Sequence, residues 1–423
     1  MQQLFRLIFA SGSLLAAKSA LLGIRVLVLL LIAAYGHESE LASISFALSL
    51  AEIGRWIADF GTDTWNVRAI AMARDADGEA RLLSAALLIK AIGSAVVAAL
   101  IFVVCHHEFP LTGDILGLIA GLLLMTSQIA GLTIAYLQAK NEIRRLAPLL
   151  IPCAATVLAA LLSLMSTGRA LVALEILTLG EIGIAAMLIT LLLRRVRIAS
   201  FVATVPEAGR MARSCIPAAA LGVAVGVYSR MDTIVLAQFS LSALAAYTVA
   251  QRLFQPFQIA VTSFGSIVYS QTSLSISARR PFARKFLRED LPITLGCSIA
   301  CSATLFFAGR LLIQIVFPQY PAAPGLLNIL CALLPLLALN SALTGLLLGC
   351  GRYWTVLSIA VLDLLLTCLF MIILIPAHGA AGTAQSLFLG AAVNGAALSF
   401  AAILAGRATL EPHAANQPDL HQQ

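Results

Sequence analysis

Runs of about twenty apolar residues, the length that crosses a bilayer as a helix, recur along nearly the whole of this 423-residue chain. In hydrocarbon every backbone N–H and C=O has to be satisfied within its own segment, so each run is expected to be a helix and the chain a helical bundle. Charged residues make up 11% of the sequence, less than half of the roughly one quarter usual in soluble domains. No stretch remains from which to build a separate soluble domain.

Twelve spans are predicted, at 10–34, 42–64, 82–105, 113–137, 147–166, 170–193, 214–237, 243–270, 291–313, 323–348, 354–376 and 381–405. The first continues through Lys18 and Arg25 without a small-residue cleavage site, and is read as an anchor helix rather than a signal peptide. With the N-terminus in the cytoplasm, the inner connections collect Arg68, Arg74 and Arg81, then Lys140, Arg144 and Arg145, the five arginines of 194–213, the basic run 279–288, Arg352 and Arg407. The outer ones hold Arg169, with Arg310 near an outer end. Basic residues favour the cytoplasmic side, so both termini are expected there. Trp65, Tyr136, Tyr353 and Trp354 at inner ends, and Tyr35 and Tyr320 at outer ends, fit interfacial aromatic belts.

The longest inner connection, RRVRIASFVATVPEAGRMAR, divides the spans six and six. An N-terminal lobe (1–193), a linker (194–213) and a C-terminal lobe (214–406) follow, with a polar, proline-broken tail (407–423) expected to be cytoplasmic and disordered. Halves that begin and end on the same side permit a pseudo-twofold axis along the membrane normal. IRVLVLLL at 24–31 echoes SRMDTIVLAQ at 229–238, and ADFG at 58–61 echoes TSFG at 262–265. Pro217 and Pro256 are positions where a helix starts or bends.

Charges inside the spans are costly, about 2.5 to 3.5 kcal/mol each on insertion scales, so they should face a wet cavity or a partner helix. Glu52, Arg55, Asp59 and Asp63 recur at intervals of three, four and four, which on one continuous helix confines them to an arc of roughly 80°. Counted at 1.5 Å per residue, Arg25, Glu52, Arg230 and Arg252 share a layer about 10 to 15 Å below the outer surface, with Arg55 slightly deeper. Lys18 shares the helix face of Arg25 and points to the inner half. Glu52 with Arg55, Arg55 with Asp59, and Arg230 with Asp232 are close enough in sequence to neutralise each other. Lys18, Arg25 and Arg252 have no acid within a turn of their own helix, so their partner is another helix or a ligand. Lys90, Glu175, Glu181 and Asp363 stand alone, and interhelical hydrogen bonding accounts for such residues. Asp59, Asp63 and Asp363, with Glu52 beside them, are candidates for ion coupling. Trp56 either packs or stacks on a sugar.

The eight cysteines lie in apolar segments without a CxxC pair or metal spacing, and read as small buried hydrophobes. No metal or cofactor is implied. The net charge of +7 marks membrane topology rather than a nucleic-acid surface. A cation-lined cavity fits a large anion, and phosphate or diphosphate pairs with guanidinium through parallel hydrogen bonds.

The stretches AEIGRWIADFGTDTWNVRAIA from Ala51, AYTVAQRLFQPFQIAVTSFGSIVYSQ from Ala246 and LLGCGRYWTVLSIA from Leu347 resemble parts of bacterial polysaccharide (O-antigen or exopolysaccharide) flippases. These belong to the multidrug/oligosaccharidyl-lipid/polysaccharide exporter superfamily. The resemblance implies a MATE-like, all-α polytopic fold of two six-helix lobes in a V, alternately open to either side. It implies transfer of an undecaprenyl-diphosphate-linked oligosaccharide from the inner to the outer leaflet of the bacterial cytoplasmic membrane. Lys18, Arg25, Arg55, Arg230 and Arg252 would line its cationic cavity, and membrane lipid, a glycan polymerase and assembly proteins are implied partners. Twelve spans, without the extra pair of the lipid II flippase branch, make a peptidoglycan precursor the weaker cargo.

Three other classes were weighed. An antiporter of the same superfamily that takes organic cations would be repelled by an excess of Arg and Lys. The major-facilitator signature after span two is not matched by GTDTWNVRAIAMARD. A membrane glycan polymerase or glycosyltransferase needs larger extramembrane loops than these, so the chain is read as not an enzyme; no GxxxxGK[ST] loop is present to bind a nucleotide, so any drive comes from an ion gradient or from consumption of the cargo outside.

Overall fold

In a computed structural model the described residues are 23–72, 75–140, 150–196, 201–277 and 291–410, with Glu142, Leu146 and Phe286. Lys18 and the tail from 411 onward lie outside them. No strand occurs among the described residues. The helices are α1 (Gly23–Tyr35), α2 (Glu38–Asp59), α3 (Thr62–Met72), α4 (Ala76–Glu108), α5 (Gly113–Ala139), α6 (Leu150–Thr167) and α7 (Ala170–Leu193). They continue as α8 (Phe201–Tyr228), α9 (Met231–Phe239), α10 (Leu241–Ser277), α11 (Leu291–Val316), α12 (Ala323–Gly349), α13 (Tyr353–His378) and α14 (Ala380–Leu410). Every predicted span falls on helix where it is described, save at Phe60–Gly61 and Ser229–Arg230. Eight of the helices are long and apolar enough to cross a membrane, and α8 makes a ninth when its two arms count as one span.

Two predicted spans are broken, and both breaks matter for the site. The span 42–64 ends as a helix at Asp59, because Phe60 (φ 51°) and Gly61 (φ 72°) are left-handed. Glycine takes that conformation without a Cβ penalty. Space also demands it, since a Cβ on Gly61 would lie 2.8 Å from both Ala218 Cβ and the Ala219 nitrogen on α8. Asp63 therefore belongs to α3, and the four charges do not form one helical stripe. The span 214–237 is interrupted at Ser229 and Arg230, so that Arg230 stands at the N-cap of α9. Helix α8 bends by 62° between Ile216 and Ala218, where Pro217 lacks the N–H needed to continue the ladder. Residues of the expected linker are helical from Phe201 on.

The chain divides into two compact units, one of residues 1–252, 312–323 and 375–383, the other of 253–311, 324–374 and 384–423. In the first, α4 lies along α5, α7 packs on α5 and α6, and α2 packs against α4, α5 and α8, with α3 bridging α5 and α8. The start of α4 and the ends of α5 and α7 meet at one end of this unit. There Lys140 bonds Glu79, and Arg195 reaches Glu142 at 2.6 Å. Leu100, Val103, Leu158, Leu162 and Leu179 are exposed, as expected of faces that meet lipid.

In the second unit a core of Val268, Phe286, Ala342, Leu343, Leu347, Val356 and Leu398 ties α10 to α12, α13 and α14. The backbones of α10 and α12 approach so closely that a Cβ on Gly345 would lie 2.2 Å from the Gly265 carbonyl oxygen, and the Ser341 hydroxyl donates to the Thr262 carbonyl at 2.6 Å. Small residues and hydroxyl hydrogen bonds are the usual means of helix association where no hydrophobic force acts. Of the expected aromatic belt, Tyr35, Tyr353 and Trp354 are exposed, whereas Tyr136 and Tyr320 are buried and so pack rather than anchor.

Candidate functional site

Within the first unit α1, α2, α3, α5 and α7 line a cavity of about 620 Å³. Its charged wall is made of Arg25, Glu52, Arg55, Asp63 and Glu181, with Trp56, Thr126, Ser127 and Gln138 among the remaining lining residues. Two arginines and three carboxylates do not form the one-sign cationic lining expected from the sequence. The pairing of each charge decides what the wall can bind.

Arg25, one of the residues with no acid on its own helix, meets Glu181 of α7. Its Nε donates to Oε1 at 2.5 Å and its Nη2 to Oε2 at 2.6 Å, with a further contact from Nη2 to the Leu123 carbonyl at 3.4 Å. The Thr126 hydroxyl also donates to Glu181 Oε2, at 3.3 Å. Arg230 does not pair with Asp232. Its Nε and Nη2 both bond Glu52 Oε2 at 2.9 Å, while Asp232 accepts from the Tyr247 hydroxyl at 2.6 Å, from Gln251 at 2.7 Å and from the Thr233 amide at 2.7 Å. The break before α9 turns Arg230 toward α2 and leaves Asp232 at the helix N-terminus, where its charge suits the dipole. Arg252 is buried on α10, within Coulombic reach of Glu52, Arg230 and Arg25. Glu52 thus stands among four arginines, Arg230, Arg25, Arg252 and Arg55.

Lys90 of α4 is not a lone polar residue. With 2% of its side chain exposed it bonds Asp59, lies 3.0 Å from Asp63 Oδ1, and donates to Gln128 Oε1 at 2.8 Å. Asp59 also accepts from the Thr62 hydroxyl at 3.0 Å and the Asp63 amide at 3.2 Å, so the helix break and the ion cluster form one structure. Gln128 in turn donates to the Arg55 carbonyl at 2.7 Å. An isolated lysine in an apolar helix was the available signal for this cluster; its partners lie 27 or more residues away in sequence and have no local signature.

Arg55 differs from the other cations. It forms no ion pair among the described residues, neither with Glu52 nor with Asp59, and its guanidinium stands 4.7 Å from the Trp56 ring centroid. The Trp56 ring is packed in turn against α8, where a Cβ on Gly226 would lie 2.6 Å from its Cδ1. Trp56 lines the cavity, supports Arg55 and packs against α8. Asp363 lies in the second unit, outside the cavity lining, and accepts from Asn394 at 2.9 Å and Thr367 at 3.2 Å. No group of three metal-ligating side chains occurs among the described residues.

No family model matches the chain, and no curated protein matches it. Solved structures do. The lipid II flippase MurJ in an inward closed conformation has a TM-score of 0.74 at 15% identity, over 93% of this chain and 90% of that one. A multidrug resistance MATE family transporter of the MOP superfamily, inward-facing, gives 0.74 at 13% identity over 92% and 96%. A MOP superfamily transporter from Pyrococcus furiosus, described as having a binding pocket of reverse polarity, gives 0.66 at 14% identity over 96% of both chains. At such identities the likeness shows the fold: this is an all-α, multi-pass membrane protein with the MATE-like architecture.

Proposed function

We propose that the protein translocates an undecaprenyl-diphosphate-linked oligosaccharide from the inner to the outer leaflet of a bacterial cytoplasmic membrane by alternating access, and that it is not an enzyme. The observation that carries this reading is Arg55, a guanidinium on the cavity wall with no carboxylate of its own. Each carboxylate on that wall already has a basic partner: Glu181 has Arg25, Glu52 has Arg230 and Asp63 has Lys90. Arg55 is the wall charge left to attract, and within a protein cavity its attraction for an anion is less screened than in bulk water. Planar guanidinium suits a phosphoryl group by parallel hydrogen bonds. In this reading the lipid tail stays in the bilayer while the headgroup crosses, and Lys18, Arg230 and Arg252 add positive potential around the path. Glu52, Asp59, Asp63 and Asp363 are kept as ion-coupling candidates, and the two-lobe division at 194–213 as the rocking unit.

A second reading is favoured by the three carboxylates of the wall, which would suit an organic cation exported by an ion-coupled antiporter. One experiment separates the two. Deletion of the gene should leave lipid-linked saccharide on the inner leaflet with drug susceptibility unchanged, and Arg55→Ala should fail to restore export. Lowered drug resistance with normal saccharide on the outer leaflet would replace the first reading by the second.

A further inference from the structure

We propose that Glu181 is the resident occupant of the cavity's anion site: it holds the Arg25 guanidinium until substrate arrives, and so sets both affinity and the choice of anion. The proposal rests on the reading of the cavity as an anion site. The two Glu181 oxygens meet Nε and Nη2 of Arg25 at 2.5 and 2.6 Å, side by side. That is the geometry in which a phosphoryl group would present two oxygens to the same edge. Both residues belong to the cavity wall, as does Thr126, whose hydroxyl bonds the same carboxylate. The charged and titratable groups that share this wall or lie near Glu181 are Arg25 on α1, Glu52 and Arg55 on α2, Asp63 on α3 and Cys153 on α6, and of these only Arg25 bonds it.

An entering anion meets two arginines in different states. Arg55 is available at once, whereas Arg25 is reached only by exchange with Glu181. A ligand with one phosphoryl group gains Arg55 and leaves the Arg25–Glu181 pair closed. A diphosphate has a second phosphoryl group to exchange for the carboxylate, and gains both guanidiniums. Glu181 thereby sets a cost on the second guanidinium that only a diphosphate meets, and tempers the preference for diphosphate by competition. It also keeps the site releasable, because the displaced carboxylate returns when the anion leaves.

The test uses the full-length protein in lipid nanodiscs, titrated calorimetrically with inorganic diphosphate and with inorganic phosphate. Glu181→Gln retains size and one acceptor but loses the charge. It should bind diphosphate about tenfold more tightly and phosphate more tightly by a smaller factor, widening the ratio between them. Glu175→Gln, on the exposed face of the same helix, should match the parent protein. Glu181→Asp, which keeps the charge on a shorter arm, should fall between, and it serves if the Gln variant folds poorly. Diphosphate bound no more tightly by both Glu181 variants than by the parent would overturn the proposal while leaving the anion site standing, provided that Arg55→Ala weakens binding. If the parent and Arg55→Ala bind diphosphate alike, the anion reading itself fails and this inference with it.

Discussion

Arg25 and Glu181, 156 residues apart in sequence, are joined on the cavity wall by two parallel charge-assisted hydrogen bonds. Their side chains are 13% and 10% exposed, so each is the other's main compensation for leaving water. A buried pair of this kind contributes little net stability, yet removal of one partner strands the other. Arg25→Ala should therefore lower stability by about 3 to 5 kcal/mol, read as a fall in Tm and in folded yield from detergent. Arg25→Ala with Glu181→Ala should recover much of the loss. If the double variant is no better than the single, the pair is not the source of the defect.

Arg55 predicts the opposite pattern. With no ion pair to break, Arg55→Ala forfeits a cation–π contact with Trp56, about 0.5 to 1 kcal/mol, and should fold and insert as the parent does. Glycan export in a complemented deletion strain should nevertheless be lost, and Arg55→Lys should restore it only in part, because an ammonium lacks the planar fork. Full export by Arg55→Ala would remove this residue from the site.

What was legible in the sequence follows from how local each signal is. The apolar runs gave the helices, since membrane length and backbone satisfaction are properties of a single segment. The break at Phe60 and Gly61 also had a local signal: a glycine followed by Thr62 and Asp63 is the pattern of one helix ending and another starting. Charge periodicity points the other way, to one continuous helix, whereas Asp63 belongs to α3. The partners were not legible. Arg230 has Asp232 two residues away and bonds Glu52 instead, because the interruption before α9 orients the two side chains differently. Lys90 and Glu181 each appeared solitary, as a residue must when its partner comes from another helix.

Lys90 is ion-paired with two carboxylates at once, Asp59 and Asp63, and its loss should be among the most damaging single changes in the first unit. Lys90→Met would leave Asp59 and Asp63 facing each other with no cation between them, at a cost of about 3 to 5 kcal/mol. Folded yield should drop sharply. Asp63→Asn alone should be mild, because Lys90 keeps Asp59 and Asp59 keeps its bonds to Thr62 and to the Asp63 amide. Lys90→Met combined with Asp59→Asn and Asp63→Asn should fold better than Lys90→Met alone. A well-folded Lys90→Met protein would show that the cluster is not a structural requirement.

Gly226 sets the position of Trp56, and through it that of Arg55. A methyl group there would lie 2.6 to 2.7 Å from Cδ1, Cβ and Cγ of the indole, well inside van der Waals contact, so the ring or the α8 backbone has to move. Arg55 rests on the ring that a Gly226 methyl would displace, so the displacement disturbs the place of the guanidinium on the cavity wall. Gly226→Ala should therefore reduce export strongly while costing about 1 to 3 kcal/mol of stability, the range for overpacking. Trp56→Ala in the same chain should relieve the strain and raise Tm toward that of Trp56→Ala alone, without restoring export, since Arg55 then has no ring to rest on. Recovery of export in the double variant would mean that Arg55 keeps its place without Trp56, and that the stack is packing with no bearing on the site.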